Sequence, residues 1–316
     1  MEGTNYEIVD SVPPNDRTWL EWKNLVEREG WTSDDLSVLT LTPKQPTTRI
    51  VLARRKTDGS FIGSVVWNEY DNIAYIGFYL MHPEYRGKGV GSIIWKRALE
   101  RMPKNYTIVL RAVPYMISRY KSRDTPFEGP CLHAYEMDGQ TLLRIADMYT
   151  TTNFAVKMVN ELTKEEYHQM EQFDLSIVKR DRSEFLRRFH DLPFTFGTVL
   201  FNSDKEIVAC AAVSPTLHSE KHLFKLAPLY ASSLQEAFMV IKPLIGEVKN
   251  VDDKGRFVLQ TLSGTIGSTL FSPLFTSMDD VSSRQCGVSL FSRTFENPID
   301  IQRLFIPHNN SCHFDA

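Results

Sequence analysis

The chain has 316 residues, 42% of them hydrophobic and 24% charged, which predicts a soluble globular protein of about two domains. A formal net charge of −3 gives no basic surface for nucleic acid and no strong attraction to acidic lipid. The start of the chain lacks a signal-peptide pattern and no apolar run is long enough to span a bilayer, so we expect a cytoplasmic protein, with the nucleus left open.

The first half alternates between strand and helix patterns. Asn15 or Asp16 can cap the first helix and Gly30 can end it. The predicted order is β-α-α-β-β-β-α-β-α-β, with strands over residues 5–10, 49–54, 61–67, 74–80, 107–111 and 131–137, and helices over 16–29, after Ser33, 90–102 and 114–121.

The second half repeats part of this layout. The patterns predict a helix over 181–189, strands over 197–201, 207–213, 222–226, 257–262 and 303–308, and a helix through 237–244. A shift of 145 residues pairs Pro83 with Pro228 and Tyr85 with Tyr230, which indicates an internal duplication. Under the same shift Gly87, Gly89 and Gly91 fall on Ser232, Leu234 and Glu236. A carboxylate would repel a phosphate group and a leucine side chain would block its approach to the backbone. We therefore expect only the first half to have a glycine loop that can bind phosphate.

The turn between residues 81 and 92 is the most informative stretch. Three glycines at alternate positions let backbone N–H groups at a helix start approach an anion, with the helix dipole adding to the attraction. The spacing does not match a nucleotide P-loop, which needs Gly-x-x-x-x-Gly-Lys-Ser/Thr, or a dinucleotide fingerprint. The sequence therefore predicts a phosphate-binding turn of another class.

That turn, with Arg86, Gly89 and Gly91 at the fixed positions, resembles the Gln/Arg-x-x-Gly-x-Gly/Ala motif of the GCN5-related N-acetyltransferase (GNAT) superfamily. The second half resembles the degenerate, YitH-type GNAT-like domain of nematode tandem-GNAT proteins, through Asp181-Arg182, residues 227–231 and the strand over 303–308. The resemblance implies an α/β (α+β) chain of tandem acyl-CoA N-acyltransferase folds, each a mixed, mostly antiparallel sheet flanked by helices. The expected domains are residues 1–145 and 146–316.

The resemblance also implies the ligands. The donor would be acetyl-CoA, without a metal, and the acceptor a primary amine on a small molecule or a protein lysine. The Met81 N–H would stabilise the oxyanion of the transition state. The cofactor-binding residues expected from the motif are Met81, Arg86, Gly87, Lys88, Gly89, Val90, Gly91 and Ser92.

Two catalytic side chains are expected by the same resemblance. Tyr120 stands where the family places the acid for the leaving thiolate, with Tyr115 as a substitute. In the family a short connection leads from this tyrosine to a Gly-Phe pair, whereas here a longer segment, residues 123–127, takes its place. A phenol matches an alkylthiol in acidity, so proton sharing is reasonable. For the base we choose Glu69 over three other candidates, namely Asp71, Tyr79 and His82.

The leading function is thus an acyl-CoA-dependent N-acyltransferase, most simply an N-acetyltransferase. A non-catalytic acyl-CoA-binding protein is the alternative, and a longer acyl chain is a third possibility. The four cysteines (Cys131, Cys210, Cys286 and Cys312) are far apart, and no zinc spacing or Gly-x-Ser-x-Gly hydrolase motif occurs. We expect inert thiols, and the sequence makes no prediction about oligomeric state.

Overall fold

A computed structural model describes residues 5–29, 35–150 and 155–308. The predicted end of the first helix at Gly30, the residue Ser33 and Cys312 lie outside these ranges. In the first half the predicted order of elements is confirmed, with a connecting helix added at its end. These elements are β1 (Tyr6–Val9), α1 (Thr18–Glu29), α2 (Leu36–Leu41), β2 (Thr48–Arg55), β3 (Phe61–Tyr70), β4 (Ile73–Met81), α3 (Val90–Arg101), β5 (Thr107–Ala112), α4 (Ile117–Lys121), β6 (Phe127–Asp138) and the connecting α5 (Gly139–Tyr149).

The second half repeats this order of ten elements and then adds a final strand. It comprises β7 (Ala155–Met158), α6 (Lys164–Val178), α7 (Ser183–His190), β8 (Phe196–Phe201), β9 (Ile207–Pro215), β10 (Leu223–Tyr230), α8 (Leu234–Val251), β11 (Arg256–Leu262), α9 (Ile266–Thr276), β12 (Ser282–Phe291) and β13 (Leu304–Ile306). The duplication is therefore present at the level of whole elements. Four of these elements, β7, α6, α9 and β12, have no counterpart in the sequence prediction.

Within the described residues the thirteen strands form one sheet. Its order is β1-β2-β3-β4-β5-β12-β6-β11-β10-β9-β8-β7, with β13 paired to β10. The pairs β4–β5 and β10–β11 are parallel, and the other described pairs are antiparallel. The predicted fold class, a mixed and mostly antiparallel sheet flanked by helices, is confirmed.

The two halves exchange strands at the centre of this sheet. Strand β12 of the second half lies between β5 and β6 and pairs with both. The second part of β6, in the first half, pairs in turn with the whole of β11, from Leu132 opposite Leu262 to Asp138 opposite Arg256. The predicted division after residue 145 falls inside α5. The halves on either side of it share one sheet rather than having one each.

Helices cover both faces of the sheet in the first half. Phe78 and Leu80 of β4 pack in the cluster that includes α1. Tyr79 and Met81 point the other way and pack partly against the α3 cluster. This alternation follows from the two-residue repeat of a strand, and it puts Tyr79 and Met81 on the same side as the glycine turn.

Two ion pairs join the halves away from the central strands. The Lys225 ammonium donates to the Asp35 carboxylate at 3.1 Å, and both side chains are buried. Arg180 pairs with Asp71 at 2.6 Å and stacks 4.0 Å from the Tyr70 ring. Because breaking a buried pair is strongly destabilising, loss of the first pair would lower the stability of the protein.

None of the described helices has the length and hydropathy needed to cross a bilayer. Cys131, Cys210 and Cys286 are free thiols. Burial raises the pKa of the Cys286 thiol to about 11 and raises that of Cys210 further. Both therefore stay protonated and weakly nucleophilic near neutral pH.

Candidate functional site

The candidate site is a cleft where β4 and β5 separate. The strands pair only from Ile73 to Ile76 of β4, and beyond that point Gly77 is an extra residue that interrupts the register with β3. The His82 N–H donates to the Ile62 carbonyl at 2.8 Å. By the alternation of a strand, Met81 therefore directs its N–H and C=O away from β3 and towards the cleft. A cavity of about 430 Å³ lies here.

The glycine turn forms one end of the cavity. Its three positions require glycine for different reasons. Gly87 and Gly89 have φ of 78° and 84°, a left-handed conformation that favours glycine, and open space faces the position of a Cβ on each. Gly91 has an ordinary φ, but a Cβ there would lie 2.4 Å from the Tyr79 hydroxyl oxygen. The turn thus keeps its backbone exposed on one side and packs against Tyr79 on the other.

The amide N–H groups at this turn are available to a ligand. Ser92 N–H donates to the Gly89 carbonyl at 3.0 Å. In the described part of the chain, the N–H groups of Gly87, Gly89, Val90 and Gly91 have no hydrogen-bond acceptor. Unpaired amides at the positive end of a twelve-residue helix form an anion site.

The two basic side chains of the motif differ in their surroundings. Arg86 donates from Nε to the Met81 carbonyl at 3.0 Å and forms a hydrogen-bonded ion pair with Glu29. Lys88 is exposed, with Nζ 5.5 Å from the centre of the Tyr85 ring. A phosphate bound at the turn would therefore receive positive charge first from Lys88, because a carboxylate already neutralises Arg86.

Tyr120 lines the same cavity as the glycine turn and Met81. Its ring lies 5.4 Å from that of Trp95, which also contacts Tyr79 at 5.2 Å. Burial, with a contribution from Tyr79, raises the pKa of Tyr120 well above its ordinary value. Tyr120 therefore stays protonated at neutral pH, as a proton donor must.

The segment that departs from the family pattern supports Tyr120. The Trp95 indole N–H donates to the Asp124 carboxylate at 2.7 Å. The N–H groups of Asp124 and Thr125 both donate to the Tyr120 carbonyl, at 3.2 and 3.3 Å. The longer segment after Tyr120 thus connects α4 to α3 through the hydrogen bond between Asp124 and Trp95.

Two other tyrosines considered from the sequence also line the cavity. Burial raises the pKa of Tyr79, although Arg119 and Arg123 oppose the shift. A base at Tyr79 is therefore disfavoured, because its phenol holds its proton. Tyr115 is 80% exposed and lacks the ring contacts that hold Tyr120.

The structure does not bring Glu69 into this cavity. Glu69 lies near the far end of β3, opposite Ala74, and its carboxylate accepts from the Trp67 indole at 2.9 Å and faces Arg49 at 3.2 Å. Asp71 is held by Arg180. The predicted base therefore does not lie beside the predicted acid, because the hairpin carries it to the opposite end of β4.

Comparison with known proteins agrees with this geometry. The sequence model of the Acetyltransferase (GNAT) family matches residues 17–120, a range that includes the cleft, the glycine turn and Tyr120. The chain belongs to the GNAT superfamily. An uncharacterized Caenorhabditis elegans protein is 40% identical over 316 residues, covering all of both chains.

Solved structures of several proteins share the fold of nearly the whole chain. A tandem GNAT protein from the clavulanic acid biosynthesis pathway, solved without AcCoA, superposes with a TM-score of 0.67 at 13% identity, over 92% of this chain and 100% of that one. A Pyrococcus horikoshii protein described as a candidate acetyltransferase gives 0.66 at 14% identity, over 98% and 97%. Saccharomyces cerevisiae N-myristoyltransferase with bound myristoyl-CoA gives 0.53 at 14% identity, over 96% and 89%. The chain thus has the tandem fold of acyl-CoA-dependent N-acyltransferases.

The second GNAT fold has no equivalent of the glycine turn. Eight residues, His82–Gly89, separate β4 from α3, but only three residues, Ala231–Ser233, separate β10 from α8. The predicted uniform shift of 145 residues is wrong here, because Pro228 and Tyr230 lie inside β10 whereas Pro83 and Tyr85 lie in the turn after β4. The second fold thus differs from the first by a shorter connection and not by substitutions within a turn of equal length.

Groups of the chain itself fill the second cleft. The Glu236 carboxylate accepts from the Ser232 N–H at 2.7 Å, and the Glu236 N–H donates to the Ser233 hydroxyl at 3.2 Å. Strand β13 pairs with β10 where β10 leaves β11, and its three residues are fully buried. A carboxylate thus stands at the start of α8 and a strand stands between β10 and β11, the two places that are open in the first GNAT fold.

The site also contains residues that the sequence analysis missed. Glu29 and Arg119 both line the cavity, and neither belongs to a local motif. Arg119 precedes Tyr120 on α4, while Glu29 reaches the site from the last turn of α1. Among the described residues, no group of three or more His, Cys, Asp or Glu side chains could hold a metal ion.

Proposed function

We propose that this protein transfers an acetyl group from acetyl-CoA to a primary amine by direct attack on the thioester. The observation that carries the proposal is the convergence, around one cavity, of unpaired amides at the glycine turn, the Met81 backbone and the Tyr120 hydroxyl. These supply an anchor for pyrophosphate, a donor to the oxyanion and a proton for the leaving thiolate.

In this mechanism the chain positions the thioester beside Met81. The amine forms a bond to the carbonyl carbon, and the Met81 N–H donates to the oxygen that becomes negative. When the C–S bond breaks, the thiolate takes the Tyr120 proton, and the phenolate takes one from the new C–N nitrogen. Tyr120 is thereby restored at the end of the step.

A short acyl group fits the cavity best. Its volume of about 430 Å³ has to hold the pantetheine arm together with the acyl group. The apolar side chains of Ile76 and Leu110 close its inner end, where β4 and β5 begin to pair. These two features favour acetyl over a long chain.

A non-catalytic acyl-CoA-binding protein is the second candidate. The placement of Glu69 outside the cavity favours it, since the predicted base is missing from the site. Both candidates require acyl-CoA at the glycine turn, and they differ in turnover.

Calorimetric titration with acetyl-CoA tests the shared requirement. We expect one-to-one binding by the wild type and none by Gly89→Glu, because a carboxylate would stand in the phosphate position. Gly264→Glu is the matched control, since Gly264 has a φ of 85° like that of Gly89, has open space at the position of a Cβ and does not line the cavity. Absence of binding by the wild type would reject both candidates.

Release of free thiol in a screen of primary amines then separates the two. An acetyltransferase releases thiol with at least one amine, and Tyr120→Phe lowers kcat by about 100-fold or more. Tight acetyl-CoA binding without thiol release from any amine would favour the non-catalytic protein.

A further inference from the structure

We infer that Glu29 is the base that takes a proton from the acceptor amine. This inference rests on the proposed acetyltransferase function and adds a catalytic residue to it. Among the described residues that line the cavity, Glu29 is the one with a carboxylate. It lies in the last turn of α1, and 80% of its side chain is buried, since 20% remains exposed.

One guanidinium links Glu29 to the reacting end of the cleft. Arg86 donates through Nε to the Met81 carbonyl at 3.0 Å and through its terminal nitrogen to Glu29 Oε1. The carboxylate is therefore separated from the Met81 backbone by the width of a guanidinium and two hydrogen bonds. The Met81 N–H and C=O point in the same direction from the strand, so Glu29 lies on the side where the thioester would be placed.

The second oxygen of the Glu29 carboxylate remains available. Arg86 takes Oε1, whereas Oε2 has no hydrogen-bond partner in the described part of the chain. A carboxylate with one oxygen fixed and the other unused can accept a proton directly or through one water.

The protons balance in the resulting step. The ammonium nitrogen gives one proton to Glu29, and its freed electron pair forms the C–N bond. The nitrogen loses a second proton when the C–S bond breaks, and this proton replaces the one that Tyr120 has given to the thiolate. Glu29 passes its proton to solvent, so the products are the amide, free CoA and one released proton.

The competing explanation is that Glu29 only holds Arg86 in place. The two roles make different predictions for Glu29→Gln in the full-length protein. The glutamine keeps an oxygen that can accept from Arg86, but it cannot take a proton. A purely positional role would therefore survive this change or would weaken acetyl-CoA binding.

The test compares two nucleophiles with acetyl-CoA as donor. One is an alkylamine acceptor found in the thiol-release screen, which is protonated at neutral pH, and the other is hydroxylamine, which is largely uncharged there. For Glu29→Gln we expect kcat with the alkylamine to fall by about 100-fold or more, while hydroxylamine turnover and acetyl-CoA affinity stay at wild-type values. Glu29→Asp should recover part of the alkylamine activity.

Glu27→Gln is the matched control, because Glu27 lies on the same helix and pairs only loosely with Lys23 at 3.8 Å. It should leave both turnover rates unchanged. Equal loss with both nucleophiles in Glu29→Gln, or no loss with either, would overturn the inference while leaving the acetyltransferase function intact. Failure of the wild type to release thiol would instead reject the proposed function itself.

Discussion

Replacing Asp124 with leucine tests whether the segment after Tyr120 supports the chemistry. The substitution removes the acceptor that lies 2.7 Å from the Trp95 indole nitrogen. Trp95 is only 5% exposed, so its N–H would lose its partner in a buried site, at a cost of about 1–3 kcal/mol. We expect the free energy of unfolding, measured in urea, to fall by that amount.

The same substitution should also lower turnover, because the Trp95 ring contacts both Tyr79 and Tyr120. With acetyl-CoA and an active amine, we expect kcat to fall by about tenfold, with a smaller change in KM. Asp124→Asn, which keeps an oxygen acceptor, should lose less of both stability and activity.

A double-mutant cycle with Tyr120→Phe decides whether the kinetic effect passes through Tyr120. Once the hydroxyl is gone, Asp124→Leu should change kcat no further, because both substitutions act on one proton transfer. Additive losses in kcat, or a loss of stability with unchanged kcat, would refute the idea that Asp124 positions Tyr120.

Three further outcomes are expected. Burial lowers the pKa of His190 from 6.5 to about 4, so the unfolded chain binds more protons in that range and stability should fall by up to about 1.4 kcal/mol per pH unit as the pH drops from 6.5 to 4. His190→Phe should remove this part of the pH dependence in urea titrations. Asp35→Asn should cost about 3–5 kcal/mol by leaving Lys225 without its buried carboxylate, and adding Lys225→Met should restore most of the loss. Glu236→Gln should lower thermal stability slightly through the weakened cap of α8, while calorimetry still gives one acetyl-CoA per chain.

The sequence predicted most of the first GNAT fold because its signals are local. The apolar runs of β3 and β4, the turn between them and the glycines before α3 each depend on residues close together in the chain. The missed helices show where local signals fail. The buried face of α6 contains Glu171 and Asp174, which pair with Arg187 and Arg182, so its apolar stripe is interrupted.

The strand exchange was not predictable from pattern alone. Strand β12 begins with exposed polar residues from Ser282 to Gln285, and its partners lie more than a hundred residues earlier. The candidate site divides in the same way. The glycine turn and Tyr120 follow a family motif and could be predicted. Glu29 lines the cavity from the end of a helix that carries no motif. Glu69 lies outside the cavity because the hairpin places it at the opposite end of β4.

The position of β12 between β5 and β6 also has a consequence for synthesis of the protein. A ribosome makes β5 and β6 long before it makes Ser282–Phe291, the segment that both strands need as a neighbour. Until then β5 and β6 each have an unpaired edge on the side that β12 will occupy, and unpaired edges are surfaces that other chains can join. The acyl-CoA cleft borders β5, so the nascent chain can complete the frame of its binding site only when synthesis is almost finished.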